Sequence, residues 1–179
     1  MAEAGETNYE GFVDNSGSCA IVTLIVDKIC YVANVGDSRA IMSANGGRNV
    51  LDLSKDHKPN DEGEAYRIIH SGGKIYQTQT KVPKLDGNGE ELILGPHRVY
   101  PGRLSVSRSF GDIEAKLPEY GGNFEVISAE PEIRQFEITK EMDWMVLACD
   151  GIFDKCTSTE VNQYVWEGVL EDRASDVHE

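Results

Sequence analysis

Asp143-Trp-Met-Val-Leu-Ala-Cys-Asp-Gly-Ile-Phe-Asp154 is an apolar run, Trp144 to Cys149, that stops at a carboxylate. A short apolar run bounded by turn residues reads as a strand covered on both faces. Gly151 lets the backbone bend directly after Asp150, so Asp150 is expected at the strand mouth. Asp154 follows four residues later and shares a helix face with Asp150 if the chain turns helically there. Paired carboxylate oxygens are hard donors, better suited to Mg²⁺ or Mn²⁺ than to zinc.

Working outward from this stretch, 179 residues with 40% hydrophobic content suffice for one domain with a real core. A net charge of -14 argues against nucleic acid or an anionic membrane as the main partner, since both are bound by clustered Lys and Arg. No apolar run reaches membrane-spanning length, and Met1-Ala-Glu-Ala-Gly-Glu-Thr7 lacks the basic and apolar parts of a signal peptide. The expected location is the cytosol or nucleus. Cys19, Cys30, Cys149 and Cys156 show no zinc spacing and are expected to be reduced and mostly buried.

Residues 1–16 read as a tail or the remnant of an upstream element. Cys19–Val26 and Ile29–Val35, separated by Asp27-Lys28, predict an antiparallel hairpin. Its register sets Cys30 opposite Ile25 and Cys19 opposite Gly36, which argues against a disulfide between the two cysteines. A second hairpin is predicted from Ala40–Ser43 and Asn49–Leu53 about Asn45-Gly-Gly47. Asn60 caps a predicted helix to His70 that buries Ala65, Ile68 and Ile69 and ends at Gly72-Gly73. Lys74–Gln79 reads as extended, and 80–102, rich in Gly, Pro and charge, as a loop insertion. Ile133–Ile138 is a further strand. Thr157 with Glu160 forms a capping-box pattern ahead of a helix with Val161, Tyr164, Val165 and Val169 on one face. Helices that do not alternate with parallel strands predict an α+β protein built on antiparallel sheets.

Several chemistries are excluded. A cysteine phosphatase needs Arg six positions after its nucleophile, and those positions hold Ile25, Gly36, Lys155 and Asn162. Gly-x-Ser-x-Gly and a phosphate loop ending in Gly-Lys-Ser/Thr are absent. Acid remains: Asp37, Asp112, Asp150 and Asp154.

Ser16-Gly-Ser-Cys-Ala20, Asn34-Val-Gly-Asp-Ser-Arg-Ala40, Asp56-His-Lys-Pro59 with Glu64, Arg67-Ile68 and Gly72-Gly73, Gly102–Asp112, and Leu147–Asp154 run in a fixed order. Together they resemble the type 2C metal-dependent protein serine/threonine phosphatases. The resemblance implies an antiparallel β-sandwich flanked by helices. It also implies a binuclear Mg²⁺ or Mn²⁺ centre and direct hydrolysis of phosphoserine or phosphothreonine in phosphoprotein substrates by metal-activated water. It assigns Asp150 to a core metal, and Asp37 with Asp154 and Asp150 to a weaker third metal site. Motifs that in the family supply a phosphate-binding arginine, a bridging ligand and a histidine are absent, as is a final Asp-Asn strand. Residues 17–179 are therefore expected to be a partial catalytic domain, incomplete at both ends and weakly active or inactive alone, with no catalytic residue assigned. Open sheet edges would invite an edge-paired or swapped homo-oligomer. The alternative is a non-catalytic scaffold binding a phosphorylated or regulatory protein.

The bland readings stand beside these. Asp37 in Gly-Asp-Ser also suits an ordinary turn, Asp154 a helix start, and Asp112 a turn after Gly111. Arg39, Arg103 and Arg108 are expected to hold loops together, His57 to hydrogen-bond a loop, and Cys149 to pack in the core.

Overall fold

The computed structural model describes residues 14–84 and 88–176. In chain order the elements are β1 (Gly17–Ser18), β2 (Ala20–Val26), β3 (Ile29–Val35), β4 (Arg39–Ala44), β5 (Asn49–Asp52), α1 (Glu62–His70), β6 (Lys74–Pro83), β7 (Glu90–Tyr100), β8 (Phe110–Gly111) and α2 (Ile113–Lys116). A 3₁₀ turn (Pro118–Tyr120), β9 (Glu132–Glu137), β10 (Met142–Ala148), α3 (Asp150–Phe153) and α4 (Ser158–Asp176) complete them. The tail expected for residues 1–16 lies, up to residue 13, outside the described residues.

Two three-stranded antiparallel sheets, β2-β3-β9 and β10-β4-β5, pack face to face. Alternation decides which side chains meet. Cys30 and Val32 of β3, with Ile21 and Phe136, close on Ala40 and Met42 of β4, with Leu53 and Met145. One residue out of step, Ile41 faces the other way and packs on Phe153 of α3 and Val161 of α4. Helices therefore flank this sheet, as the α+β sandwich requires. A satellite core of Ile68, Val99, Ala115, Val126 and Ile127 joins α1 to the base of β6 and β7.

Both predicted hairpins form. Ile25 pairs with Cys30 and Ala20 with Val35, so Cys19 comes opposite Gly36 as expected. In the second hairpin the Gly47 turn lies under α4. Gly47 has φ +80°, and a Cβ there would stand 2.5 Å from Trp166 Nε1. A bulge between Met142 and Trp144 turns Asp143 toward the same turn, where it accepts from Gly47 N–H and Ser43 Oγ, each at 3.0 Å.

Four expectations need correction. The stretch 80–102 is largely strand: β6 and β7 form a long antiparallel hairpin with a register shift between Gln77 and Gln79. Among the described residues strand β10 is an edge strand, paired with β4 alone and half-buried, rather than covered on both faces. Helix α1 is capped by Asp61, not Asn60, and its inward residues are Glu64 and Ile68, leaving Ile69 59% exposed. On α4, Val161 is buried but Tyr164 is exposed.

Candidate metal-binding corner

Antiparallel pairing builds the site. Ala148 of β10 pairs with Arg39 of β4. Asp150, two residues beyond Ala148, and Asp37, two residues before Arg39, therefore emerge at the same end of the sheet. Asp150 opens α3 and Asp154 caps its C-terminus, with Asp154 N–H donating to Asp150 O at 2.8 Å. The three predicted ligands thus come from two adjacent chain reversals. Asp37 is 7% exposed, whereas Asp150 and Asp154 are exposed, so Asp150 is not the buried strand terminus expected.

The corner carrying Asp37 is fixed through Gly36. Its N–H donates to His57 Nδ1 at 3.1 Å, and its carbonyl accepts from His57 N–H at 3.0 Å and from Asn34 Nδ2 at 3.1 Å. Gly36 has φ +106°, and a Cβ there would lie 2.2 Å from Cys19 Sγ, so this close approach needs glycine. His57 is fully buried and serves the loop, as the bland reading held. Burial and the nearby Arg108 hold its imidazole below the ordinary histidine range, which keeps Nδ1 free to accept.

Two side chains without a metal-site role in the sequence reading complete the corner. Lys58 Nζ donates to Asp37 Oδ2 and lies 4.0 Å from Asp154 Oδ1. Cys19 Sγ lies 3.5 Å from Asp37 Oδ1. Burial, with the Asp37 and Asp150 carboxylates adding to it, pushes the Cys19 thiol up. The hairpin register, which sets Cys19 beside Gly36, was the available signal for that residue. Among the described residues no group of three or more His, Cys, Asp or Glu side chains is arranged to hold a metal ion.

The remaining candidates serve structure. Arg39 makes a two-point pair with Asp56, at 2.9 and 2.8 Å, and its guanidinium lies 4.8 Å from the Phe153 ring centroid. Arg108 pairs with Glu64 at 2.6 Å. Arg103 has φ 59°, and its carbonyl accepts from Arg98 Nη1 at 2.6 Å. Asp112 has φ 51°, starts α2 and donates its N–H to Ser16 O at 2.9 Å, a turn role. All four cysteines are free, and Cys149 is exposed rather than in the core.

The protein phosphatase 2C family model matches residues 2–177. The chain belongs to the protein phosphatase 2C family. Its relatives include a probable protein phosphatase, CG10417, of Drosophila melanogaster, 39% identical over 155 residues that cover 84% of this chain and 20% of the relative. Probable protein phosphatase 2C 60 of Arabidopsis thaliana is 34% identical, with 86% of this chain and 37% of the relative covered. Among solved structures, a sex-determining protein of C. elegans superposes with a TM-score of 0.63 at 28% identity, over 83% of this chain and 31% of that one. A phosphatase from Toxoplasma gondii gives 0.58 at 30% identity, over 81% and 39%. This protein phosphatase 2C chain thus spans between a fifth and somewhat over a third of the length of these curated relatives. Among the described residues no helix is long and apolar enough to cross a membrane.

Proposed function

We propose that this chain serves the Mg²⁺- or Mn²⁺-dependent hydrolysis of phosphoserine and phosphothreonine in proteins of the cytosol or nucleus. Its contribution to metal binding is Asp150, Asp37 and Asp154. One observation carries this reading: Asp37 and Asp154 already share a cation, the Lys58 ammonium, at the end of the sheet where Asp150 emerges. Carboxylate oxygens of this kind fit hard divalent ions. When bound, such ions supply activated water and neutralise charge on the phosphoryl oxygens. The chain's own residues hold the ligands in place: Gly36 and His57 pin Asp37, and α3 spaces Asp150 from Asp154.

Asp150 is the one residue assigned to the core metal pair, so we infer that the chain acts as a truncated part of a catalytic domain, weakly active or inactive alone. A second reading, a non-catalytic scaffold for a phosphorylated or regulatory protein, is favoured by the same ammonium, because Lys58 satisfies these carboxylates without metal. The partner proposed besides substrate is a second copy of the chain, and neither nucleic acid nor membrane is proposed. A phosphopeptide assay in millimolar Mn²⁺ tests the function. Slow turnover that needs Mn²⁺ and falls in Asp150→Asn is expected. Turnover equal to that of a full-length family member would overturn the inference of weak activity. Mn²⁺ binding that is indifferent to Asp150→Asn would favour the scaffold.

A further inference from the structure

Lys58 reaches between two of the candidate metal ligands. Its ammonium donates to Asp37 and lies 4.0 Å from Asp154, two of the three carboxylates given above to a divalent ion. The loop that delivers it is firmly held. Lys58 N–H donates to Asp56 O and Lys58 O accepts from Asp61 N–H, each at 3.0 Å, between the fully buried His57 and Pro59. Asp37 is 7% exposed, and a carboxylate so far from water needs a compensating charge. The Lys58 ammonium, in contact with Asp37, supplies that charge. The side chain remains 32% exposed, so its four-carbon stem has a path by which the ammonium can swing into solvent.

We propose that Lys58 is a tethered counter-ion that competes with the divalent ion for Asp37 and Asp154, so that the ion enters this site by displacing the ammonium. The proposal rests on the reading that these carboxylates take a divalent ion. Lys58 then has two effects of opposite sign. It stabilises the metal-free fold by neutralising Asp37, and it weakens metal binding by lowering the negative charge available to the ion. Site affinity for hard cations follows ligand charge, and thermal stability follows ligand occupancy by mass action.

The test is calorimetric titration of Mn²⁺ into the whole chain as wild type, Lys58→Met, Lys58→Gln, Lys58→Arg and Asp37→Asn, with thermal melts of each. Lys58→Met and the milder Lys58→Gln should bind Mn²⁺ more tightly by about tenfold. Both should melt lower than wild type without metal and gain more from adding it, while Lys58→Arg keeps the wild-type Kd. If Lys58→Met and Lys58→Gln bind no more tightly than wild type while Asp37→Asn loses binding, the counter-ion role is overturned and the metal site stands. If neither wild type nor the Lys58 variants bind Mn²⁺, the metal reading falls and this proposal with it.

Discussion

The carboxylate of Glu64, 5% exposed, accepts from four directions. Arg108 Nη2 reaches it at 2.6 Å, Arg67 Nη2 at 2.8 Å, Ser107 Oγ at 2.5 Å and Arg108 Nε at 3.1 Å. Burial alone pushes this carboxyl up, but Arg108, Ser107 and Arg67 outweigh it and lower it from 4.5 to about 2. Because the folded-state value is the lower one, Glu64 stabilises the fold fully above pH 4.5, and that contribution is lost as pH falls toward about 2. Glu64→Gln leaves two arginines short of a counter-charge and should cost about 3 kcal/mol at pH 7. Urea unfolding should show the gap between the two proteins closing between pH 4.5 and 2; parallel curves there would deny the network a role. At this scale the placement of Asp37 and Asp150 at one sheet end was legible, because both sit where strand patterns break, with Asp154 one helical turn beyond Asp150. Glu64 and Lys58 were not assigned roles in the site or core. A lysine in a polar loop and an acid in a helix's first turn read as solvated surface, and the partners that decide otherwise, Asp37 for Lys58 and Arg108 for Glu64, lie 21 and 44 residues away.

Helix α4 begins with a reciprocal cap. Thr157 N–H donates to Glu160 Oε2 at 2.8 Å, and Glu160 N–H donates to Thr157 Oγ1 at 3.2 Å. Thr157→Ala removes the Oγ1 that accepts from Glu160 N–H but keeps the backbone N–H at 157, so it should cost about 1 kcal/mol. The double variant with Glu160→Ala should cost less than the sum of the singles, since the two bonds form one unit. A denaturant-based mutant cycle checks both, and strict additivity would mean that the bonds act separately. This element was readable because every partner lies within one turn of chain. The hairpins about Asp27-Lys28 and Asn45-Gly-Gly47 were readable for the same reason. The hairpin of β6 and β7 was not. A strand shows period-2 alternation when one face is buried, and here Leu92, Ile93 and Leu94 are 58%, 50% and 58% exposed in succession. Its bulge also consumes a glycine that looked like a loop signal: a Cβ at Gly95 would lie 2.3 Å from Thr78 Oγ1. Charge and glycine in 80–102 therefore describe a strand pair exposed to water, not a loop.

At the scale of the whole molecule, the two sheets are unequally covered among the described residues. The β10-β4-β5 sheet carries α3 and α4 on its outer face. On the β2-β3-β9 sheet, Val22, Leu24 and Val26 of β2 are 57%, 59% and 50% exposed and Ile133 of β9 is 63% exposed, with β2 at the sheet edge. The strand patterns predicted antiparallel hairpins and the family resemblance implied a sandwich, but no sequence pattern tells whether anything packs on the far face of a sheet. An aliphatic face beside an unpaired edge favours addition of another strand. Charge does not oppose this locally, because Ala20–Val26 contains no ionised residue although the chain carries -14. The expected outcome is self-association through β2, seen as a light-scattering mass above 19.8 kDa that rises with concentration. Added salt should strengthen it by screening the repulsion between two acidic bodies. Leu24→Lys places a charge on the seam of both copies and should restore the monomer while leaving the inward-facing core residues Ile21, Cys30 and Val32 untouched. A wild-type chain that stays monomeric at high concentration and high salt would show that this face is not closed by a second copy.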